Sequence, residues 1–245
     1  MMRIILKCFI ALTLWIAGAT VRAALTNNMF NIRHIGYAEG LSSQRVFSIV
    51  EDSHGAMWIA TKTGIDRYNG HIIKSYTLPG NFYYGDLAGR KLGLLYHEKY
   101  GLWAYDHTGR VYHYSIENDC FEQYLYLGEF ITGEIILNKL YLDHEGTFWF
   151  GLNKGLYKND ADNRVIPVVQ QKYVNDIVVV EKTLFIGTST GVLQLSYSNL
   201  DKPRQLLGGH DVQTLFCDTT KKELWIGTFN SGLLVMNLNT HSLLL

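Results

Sequence analysis

Residues 46–68 read VFSIVEDSHGAMWIATKTGIDRY, and residues 137–158 repeat the same frame as LNKLYLDHEGTFWFGLNKGLYK. In both copies an aspartate stands six residues before a tryptophan, one glycine stands three residues before it and another stands six residues after it. The matched residues are Asp52, Gly55, Trp58 and Gly64 in the first copy and Asp143, Gly146, Trp149 and Gly155 in the second. A motif that recurs in this way indicates a repeat architecture.

Three weaker copies share the frame. They contain, in chain order, Trp103 and Gly109, then Phe185, Gly187 and Gly191, and finally Trp225, Gly227 and Gly232. The five aromatic anchors of the copies recur every 36 to 46 residues. This interval is close to the length of a four-stranded blade, so the sequence predicts an all-β propeller with about five blades.

The first copy shows how one blade is expected to form. Apolar residues 46–49 and 57–61 predict two strands, residues 65–68 a third and residues 71–76 a fourth. Asp52 and Gly55 supply the turn chemistry between the first two strands. The tryptophan is expected to fill the space between neighbouring sheets, and the small residue two positions later, such as Gly151, allows a close approach of the next blade.

Composition excludes several classes of protein. Charged residues make up only 18% of the 245 residues and hydrophobic residues 47%, unlike a disordered chain. The formal net charge is zero, whereas a nucleic-acid-binding domain usually carries an excess of basic residues. Three cysteines are too few for a disulfide scaffold.

The first 23 residues have the features of a secretory signal peptide. Two basic residues precede the short apolar stretch CFIALTLWIAGA, and small residues at positions 21 and 23 suit a signal peptidase. Residues 24–245 would then form the mature propeller, with a net charge of −3. Its two cysteines, Cys120 and Cys217, are interpreted as small buried residues rather than as a disulfide.

The repeats closely resemble the two-component regulator propeller repeat, whose pattern is D-x-x-G-x-[LF]-W-[IF]-G-T-x-x-G-L-x-x-[YF]. It is matched by DSHGAMWIATKTGIDRY at residues 52–68 and by DHEGTFWFGLNKGLY at residues 143–157. The resemblance implies the N-terminal periplasmic sensor portion of a Bacteroidetes-type hybrid two-component system. Such sensors combine further blades, a membrane helix, a histidine kinase and response-regulator modules. The resemblance also implies homodimerisation and an oligosaccharide ligand that controls carbohydrate-use genes.

The number of blades leaves two arrangements open. The family usually builds rings of seven blades, so five repeats are interpreted as part of such a ring in a truncated sensor. A closed five-bladed ring is the alternative. Residues 30–35 would normally be the outer strand that closes the last blade, and pairing of this segment with residues 233–237 would support closure.

A sensor needs recognition rather than catalysis. In a propeller the loops before each inner strand and those joining the second and third strands share one rim, which is the expected ligand surface. The candidate residues on this rim are Ser43, Gln44, Arg45, Lys62, Asn153, Lys154, Asn175 and Asn230. For each of them a solvated loop position without ligand contact is the alternative. Phe82, Tyr83 and Tyr84 could stack on a sugar, but packing over a blade edge is the favoured alternative.

Enzymatic function has little support in the sequence. It contains no HExxH, GxSxG or GxxxxGK[ST] motif, and its nine histidines form no tight cluster, so neither a metal site nor a cofactor is expected. A propeller lyase or hydrolase remains an alternative because such sites are assembled from distant residues. A second alternative is a scaffold that binds another protein through an exposed blade edge.

Overall fold

The structure is a computed structural model that describes residues 32–80 and 91–244. Residues 32–35 carry no helix or strand. Residues from Gly36 onward form a separate unit that contains every strand described below. A short 3-10 helix at Tyr37–Glu39 precedes the first strand, and a second lies at Leu127–Glu129.

Nineteen strands are described, and each blade consists of consecutive antiparallel strands. Blade 1 consists of β1 Val46–Glu51, β2 Met57–Thr61, β3 Ile65–Tyr68 and β4 Ile73–Tyr76, and blade 2 of β5 Leu92–His97, β6 Gly101–Asp106, β7 Arg110–Ser115 and β8 Cys120–Tyr126. Blade 3 consists of β9 Leu137–Leu142, β10 Phe148–Leu152, β11 Gly155–Asn159 and β12 Val165–Gln170, and blade 4 of β13 Val174–Val180, β14 Thr183–Thr188, β15 Gly191–Ser196 and β16 Asn199–Gly208. Blade 5 consists of β17 Val212–Asp218, β18 Glu223–Thr228 and β19 Leu233–Asn237.

The five inner strands stand around a common axis in chain order and contribute to one central cavity. The prediction of an all-β propeller with five blades is therefore confirmed. The arrangement matches the five-bladed ring that was the alternative to a partial seven-bladed ring.

The three-stranded sheet of the fifth blade is extended by a short contact with the chain that follows β19. After β19 the chain turns, and the backbone of Leu244 donates a hydrogen bond to Val235 over 2.7 Å. Leu243 also forms a bridge with Met236. The C-terminal residues thus begin to occupy the fourth-strand place that residues 30–35 were expected to fill. Of that predicted strand, residues 30 and 31 lie outside the described part, and residues 32–35 are not in a strand.

The turn aspartates of the two strongest repeats hold the tryptophans in place. The Oδ1 atom of Asp52 accepts hydrogen bonds from the backbone of His54 and Ala56, and Oδ2 accepts one from the Trp58 indole over 2.8 Å. Asp143 makes the same three bonds, including one from the Trp149 indole over 3.0 Å. The spacing of aspartate and tryptophan therefore serves the turn and the core together.

Four aromatic anchors fill the junctions between consecutive blades. Trp58, Trp103, Trp149 and Phe185 are all buried, each in a cluster with apolar residues of the following blade. A Cβ atom placed on Gly187 would lie 2.8 Å from Val212 of the next inner strand. The predicted close approach at the small residue after the anchor is thus confirmed.

The junction between blade 5 and blade 1 buries little apolar surface. Ile49 on β1 is 53% exposed, whereas its register equivalents Leu140 and Ile177 are 1% exposed because the preceding blade covers them. On blade 5, Phe216 is 65% exposed, and Trp225 is only half-buried.

Two local predictions need correction. The fourth strand of blade 1 begins at Ile73 rather than at residue 71 because Asn69 Oδ1 accepts hydrogen bonds from the backbone of His71 and Ile72, which forms a turn. Cys120 is exposed at the start of β8 rather than buried, whereas Cys217 is partly buried. Both cysteines are free thiols.

Candidate functional site: the axial cavity and its rim

The first residues of each inner strand determine which side chains face the central axis of the propeller. The apolar first residue is buried against the preceding blade in blades 2 to 5, as Val174 is, whereas Val46 of blade 1 is 40% exposed. The register shifts over the next two residues in β1, β9, β13 and β17. These two positions are Phe47 and Ser48, Asn138 and Lys139, Asn175 and Asp176, and Gln213 and Thr214 in blades 1, 3, 4 and 5. All of them except Thr214 line a central cavity of about 250 Å³.

Blade 2 departs from this pattern. Leu92 is followed by Gly93, and the strand pairs without a register shift. The ring of Tyr105 occupies the space beside Gly93, where a Cβ atom would lie 2.1 Å from the ring. Burial raises the pKa of the Tyr105 hydroxyl above its usual range, so the group stays neutral and can exchange hydrogen bonds in the cavity.

An ion pair crosses the cavity wall between blades 3 and 4. Lys139 Nζ lies 2.8 Å from Asp176 Oδ1. Asp176 Oδ2 accepts hydrogen bonds from the backbone of Leu215 over 2.8 Å and from the hydroxyl of Thr214. Burial acts to lower the pKa of Lys139, but the charge of Asp176, the nearby Tyr105 and the hydrogen bond to Asp176 together raise this pKa above its usual value. The lysine is therefore a fixed cation in the wall.

Two asparagines tie neighbouring blades together at the axis. Asn138 Nδ2 donates to the carbonyl of Val174 over 2.8 Å, and Asn175 Nδ2 donates to the carbonyl of Val212 over 2.7 Å. Both amide oxygens lack a hydrogen-bond partner in the part of the chain that the structure describes. They are therefore oriented acceptors. Asn175 is a predicted site residue and lines the cavity.

The predicted rim residues of blade 1 lie around the loop that enters β1. Ser43 is only 6% exposed, and its hydroxyl accepts a hydrogen bond from the backbone of Arg45, so it supports the loop. The Arg45 guanidinium lies 5.4 Å from the centre of the Phe47 ring. The side chains of Gln44, Arg45 and Lys62 are exposed.

The predicted rim residues of blades 3 and 5 lie in the turns between the second and third strands. Asn153 Oδ1 accepts a hydrogen bond from the backbone of Ile136, and Lys154 Nζ donates to the carbonyl of Thr132. Asn230 is exposed and accepts a hydrogen bond from the Ser231 hydroxyl. These residues sit on separate blades, and the structure does not bring them into one cluster. Phe82, Tyr83 and Tyr84 lie outside the described residues.

Sequence reasoning missed most of the cavity wall. Lys139, Tyr105, Gln213 and Ser48 were not predicted as site residues, although aligning the repeats places three of them one or two positions after the first apolar residue of an inner strand. The cavity combines amide oxygens, a hydroxyl and an ion pair, which suits hydrogen bonding to a polar ligand. Within residues 32–80 and 91–244, no group of three histidine, cysteine or acidic side chains is placed to hold a metal ion.

Comparison with known proteins supports the fold and the repeat. Residues 40–63 match the two component regulator propeller family. The extracellular domain of a protein described as a hybrid two component system of B. thetaiotaomicron has a TM-score of 0.67 and 22% identity, and the match covers 86% of this chain and 31% of that domain. A second such domain from the same organism has a TM-score of 0.65 and 21% identity, with 83% and 30% covered.

Propellers with other activities also share the fold. Virginiamycin B lyase from Staphylococcus aureus has a TM-score of 0.57 and 11% identity, and the match covers 79% of this chain and 70% of the lyase. No curated protein sequence matches the chain. This chain spans less than a third of the two sensor domains. The predicted resemblance is confirmed: residues 40–63 match the two component regulator propeller family, and the chain has a propeller fold like that of the extracellular domains of two hybrid two component systems.

Proposed function

We propose that this chain is a ligand-sensing propeller of an extracytoplasmic two-component sensor, and that its axial cavity and rim receive an oligosaccharide. The observation that carries the proposal is the cavity to which the inner strands of all five blades contribute. Sugar hydroxyls both donate and accept hydrogen bonds, so they match the free amide oxygens of Asn138 and Asn175 and the Lys139–Asp176 pair.

The wider setting belongs to the same proposal. Residues 1–23 act as a cleaved signal peptide that delivers residues 24–245 to the periplasm, where the propeller forms part of a longer, homodimeric sensor with kinase modules. No helix in the described part of the chain has the length and apolar character to cross a membrane. The segment itself binds a ligand without transforming it.

Calorimetry against a panel of oligosaccharides tests the ligand class. The matched variants are Gln213→Trp, which fills the cavity from its wall, and Lys202→Ala, a change at an exposed residue of β16 outside the cavity. We expect one glycan to bind, its affinity to fall at least tenfold in Gln213→Trp, and Lys202→Ala to bind as the unmodified chain does. Absence of binding to every glycan, together with binding of a peptide, would overturn the sugar assignment.

A protein-binding scaffold is the second candidate. The observation that favours it is the weakly covered junction of blades 5 and 1, where Ile49 and Phe216 are exposed. A scaffold would retain a protein partner in Gln213→Trp and lose it in Ile49→Lys. Co-purification of a partner with each variant distinguishes the two functions.

A further inference from the structure

A large groove lies between blades 1 and 2, at the end of the blades opposite to the predicted rim. It is formed by the turn after β1, the turn after β5 and the turn after β7, and it has a volume of about 620 Å³. This volume falls in the range of small-molecule sites. Its floor contains Trp58 and Leu102, and Tyr100 and Tyr114 form part of its walls.

The groove is a local feature and not a consequence of the repeat, because the equivalent place between blades 3 and 4 is largely closed. That cavity has a volume of about 180 Å³. Tyr197 there bonds to Asp143, and Lys182 Nζ lies 3.7 Å from Glu145 Oε1 across the opening.

The corresponding residues of the open groove are arranged differently. Ile116 stands at the register position of Tyr197 and has no hydroxyl to bond to Asp52. Tyr114 directs its hydroxyl to Asp119 over 2.6 Å, so neither side chain closes the groove. His54 replaces Glu145, so no carboxylate bridges to Lys99, which bonds instead to the Tyr100 hydroxyl over 3.0 Å. The turn after β5 is also one residue longer than the turn after β13.

The charge of the groove favours a cation. Arg67 lies 3.8 Å from Asp52 and stacks over the Trp58 ring, so these two charges offset each other. Three further carboxylates line the groove against the single ammonium of Lys99. These carboxylates belong to Glu98, Glu117 and Glu122. Within the part of the chain that is described, Glu98 and Glu117 have no hydrogen-bond or ion-pair partner.

The walls of the groove also offer aromatic and apolar contacts to the uncharged part of an organic cation. Aromatic faces in the groove already hold cations: Arg67 lies 5.2 Å from the Trp58 ring centre, and Lys99 Nζ lies 4.8 Å from the Tyr100 ring centre. Ile116 stands at the groove and is 81% exposed, which provides an apolar contact. We propose that the blade 1–blade 2 groove binds a small organic cation, consisting of an amine carried on a planar apolar body, as a second ligand site separate from the axial cavity.

Three probes with the same ring and different charges test the proposal: tyramine as the cation, 4-ethylphenol as the neutral compound and 4-hydroxyphenylacetate as the anion. Binding to the full chain is measured by titration calorimetry and by saturation-transfer NMR. We expect saturable binding of tyramine, at least about tenfold tighter than that of the anion. Absence of saturable tyramine binding, or equal affinities for tyramine and the anion, would overturn the proposal.

A double variant locates the site. Glu98→Gln with Glu117→Gln removes two exposed carboxylates that form no hydrogen bond or ion pair within the described residues, so folding should be preserved. We expect tyramine affinity to fall at least about threefold and the preference over 4-ethylphenol to be lost. The control is Glu181→Gln, which changes the equivalent glutamate of the closed groove and should leave binding unaltered. Unchanged tyramine binding in the double variant contradicts the assignment to this groove.

Discussion

The turn aspartate and the tryptophan act as one structural unit at the scale of single residues. Asp52 accepts two backbone hydrogen bonds with one oxygen and the Trp58 indole with the other. Burial alone would raise the pKa of Asp52, but the bonds from the indole and the backbone, together with the charge of Arg67, lower it below its usual value. The charged form of this carboxylate is therefore the one that stabilises the fold.

Replacing this carboxylate should remove a pH-dependent part of stability. We expect Asp52→Asn to lower the free energy of unfolding by about 1–3 kcal/mol at pH 7, because an amide offers one acceptor oxygen in place of two. The contribution of Asp52 is present above the ordinary aspartate pKa of about 3.9 and is lost as the pH falls through its lower folded value.

Urea unfolding from pH 7 to pH 2 measures both effects. The difference in the free energy of unfolding between the unmodified protein and Asp52→Asn should become smaller as the pH falls into the acid range. The control is Asp218→Asn, since Asp218 caps a turn without bonding to a tryptophan. A gap that stays constant down to pH 2 would show that the charge of Asp52 is not involved.

Substitution of two glycines with positive φ distinguishes the cost of backbone strain from the cost of a steric clash. Gly191 has a φ of 139°, and a Cβ atom there would lie 1.9 Å from the carbonyl oxygen of Leu207. Gly232 has a φ of 71° and open space around it. We expect Gly191→Ala to destabilise the protein by about 1–3 kcal/mol more than Gly232→Ala, as measured by thermal unfolding. Equal effects would mean that strand β16 moves away from the new methyl group.

At the scale of elements, the interface between two blades is the unit of packing. Trp149 lies between blades 3 and 4 at 2% exposure, in a cluster with Leu156, Val174 and Ile177. Trp225 stands at the equivalent position of blade 5, but it is only half-buried. The contribution of this repeat residue to the free energy of unfolding therefore depends on whether a following blade covers it.

Substitution of the two tryptophans measures this difference. We expect Trp149→Ala to lower the free energy of unfolding by about 3–5 kcal/mol, as for other buried aromatic residues, and Trp225→Ala to lower it by clearly less. Chemical unfolding followed by circular dichroism provides the comparison. Equal losses in the two variants would show that Trp225 is covered in solution.

The element scale also shows what could be predicted from sequence. The five blades were predictable because each repeat has an aromatic anchor at a similar interval. In the two strongest repeats the anchors Trp58 and Trp149 also lie close to a turn aspartate in the sequence. The axial cavity was not predictable in the same way, because Ser48, Lys139 and Gln213 meet only after the blades surround the axis. The groove between blades 1 and 2 depends on Ile116 at the position of Tyr197 and on the bond of the Tyr114 hydroxyl to Asp119, which no local pattern specifies.

At the scale of the whole molecule, the weakly covered junction of blades 5 and 1 is the most distinctive feature of the surface. Val46 and Ile49 on β1, and Phe216 and Leu233 on blade 5, are each at least 40% exposed. Their equivalents in the inner blades are mostly buried against a neighbour. Contiguous exposed apolar surface of this kind usually marks a site of association.

The isolated propeller should therefore self-associate through these faces. We expect residues 24–245 to show a mass that rises with protein concentration in size-exclusion chromatography with light scattering. Ile49→Lys combined with Phe216→Lys should shift the protein towards the monomer, because a charge on each face opposes its burial. Ile166→Lys, a change at another exposed apolar residue on the outer strand of blade 3, should leave the association unaltered. A monodisperse monomer at all concentrations, with cooperative unfolding, would show that the two faces cover each other in solution.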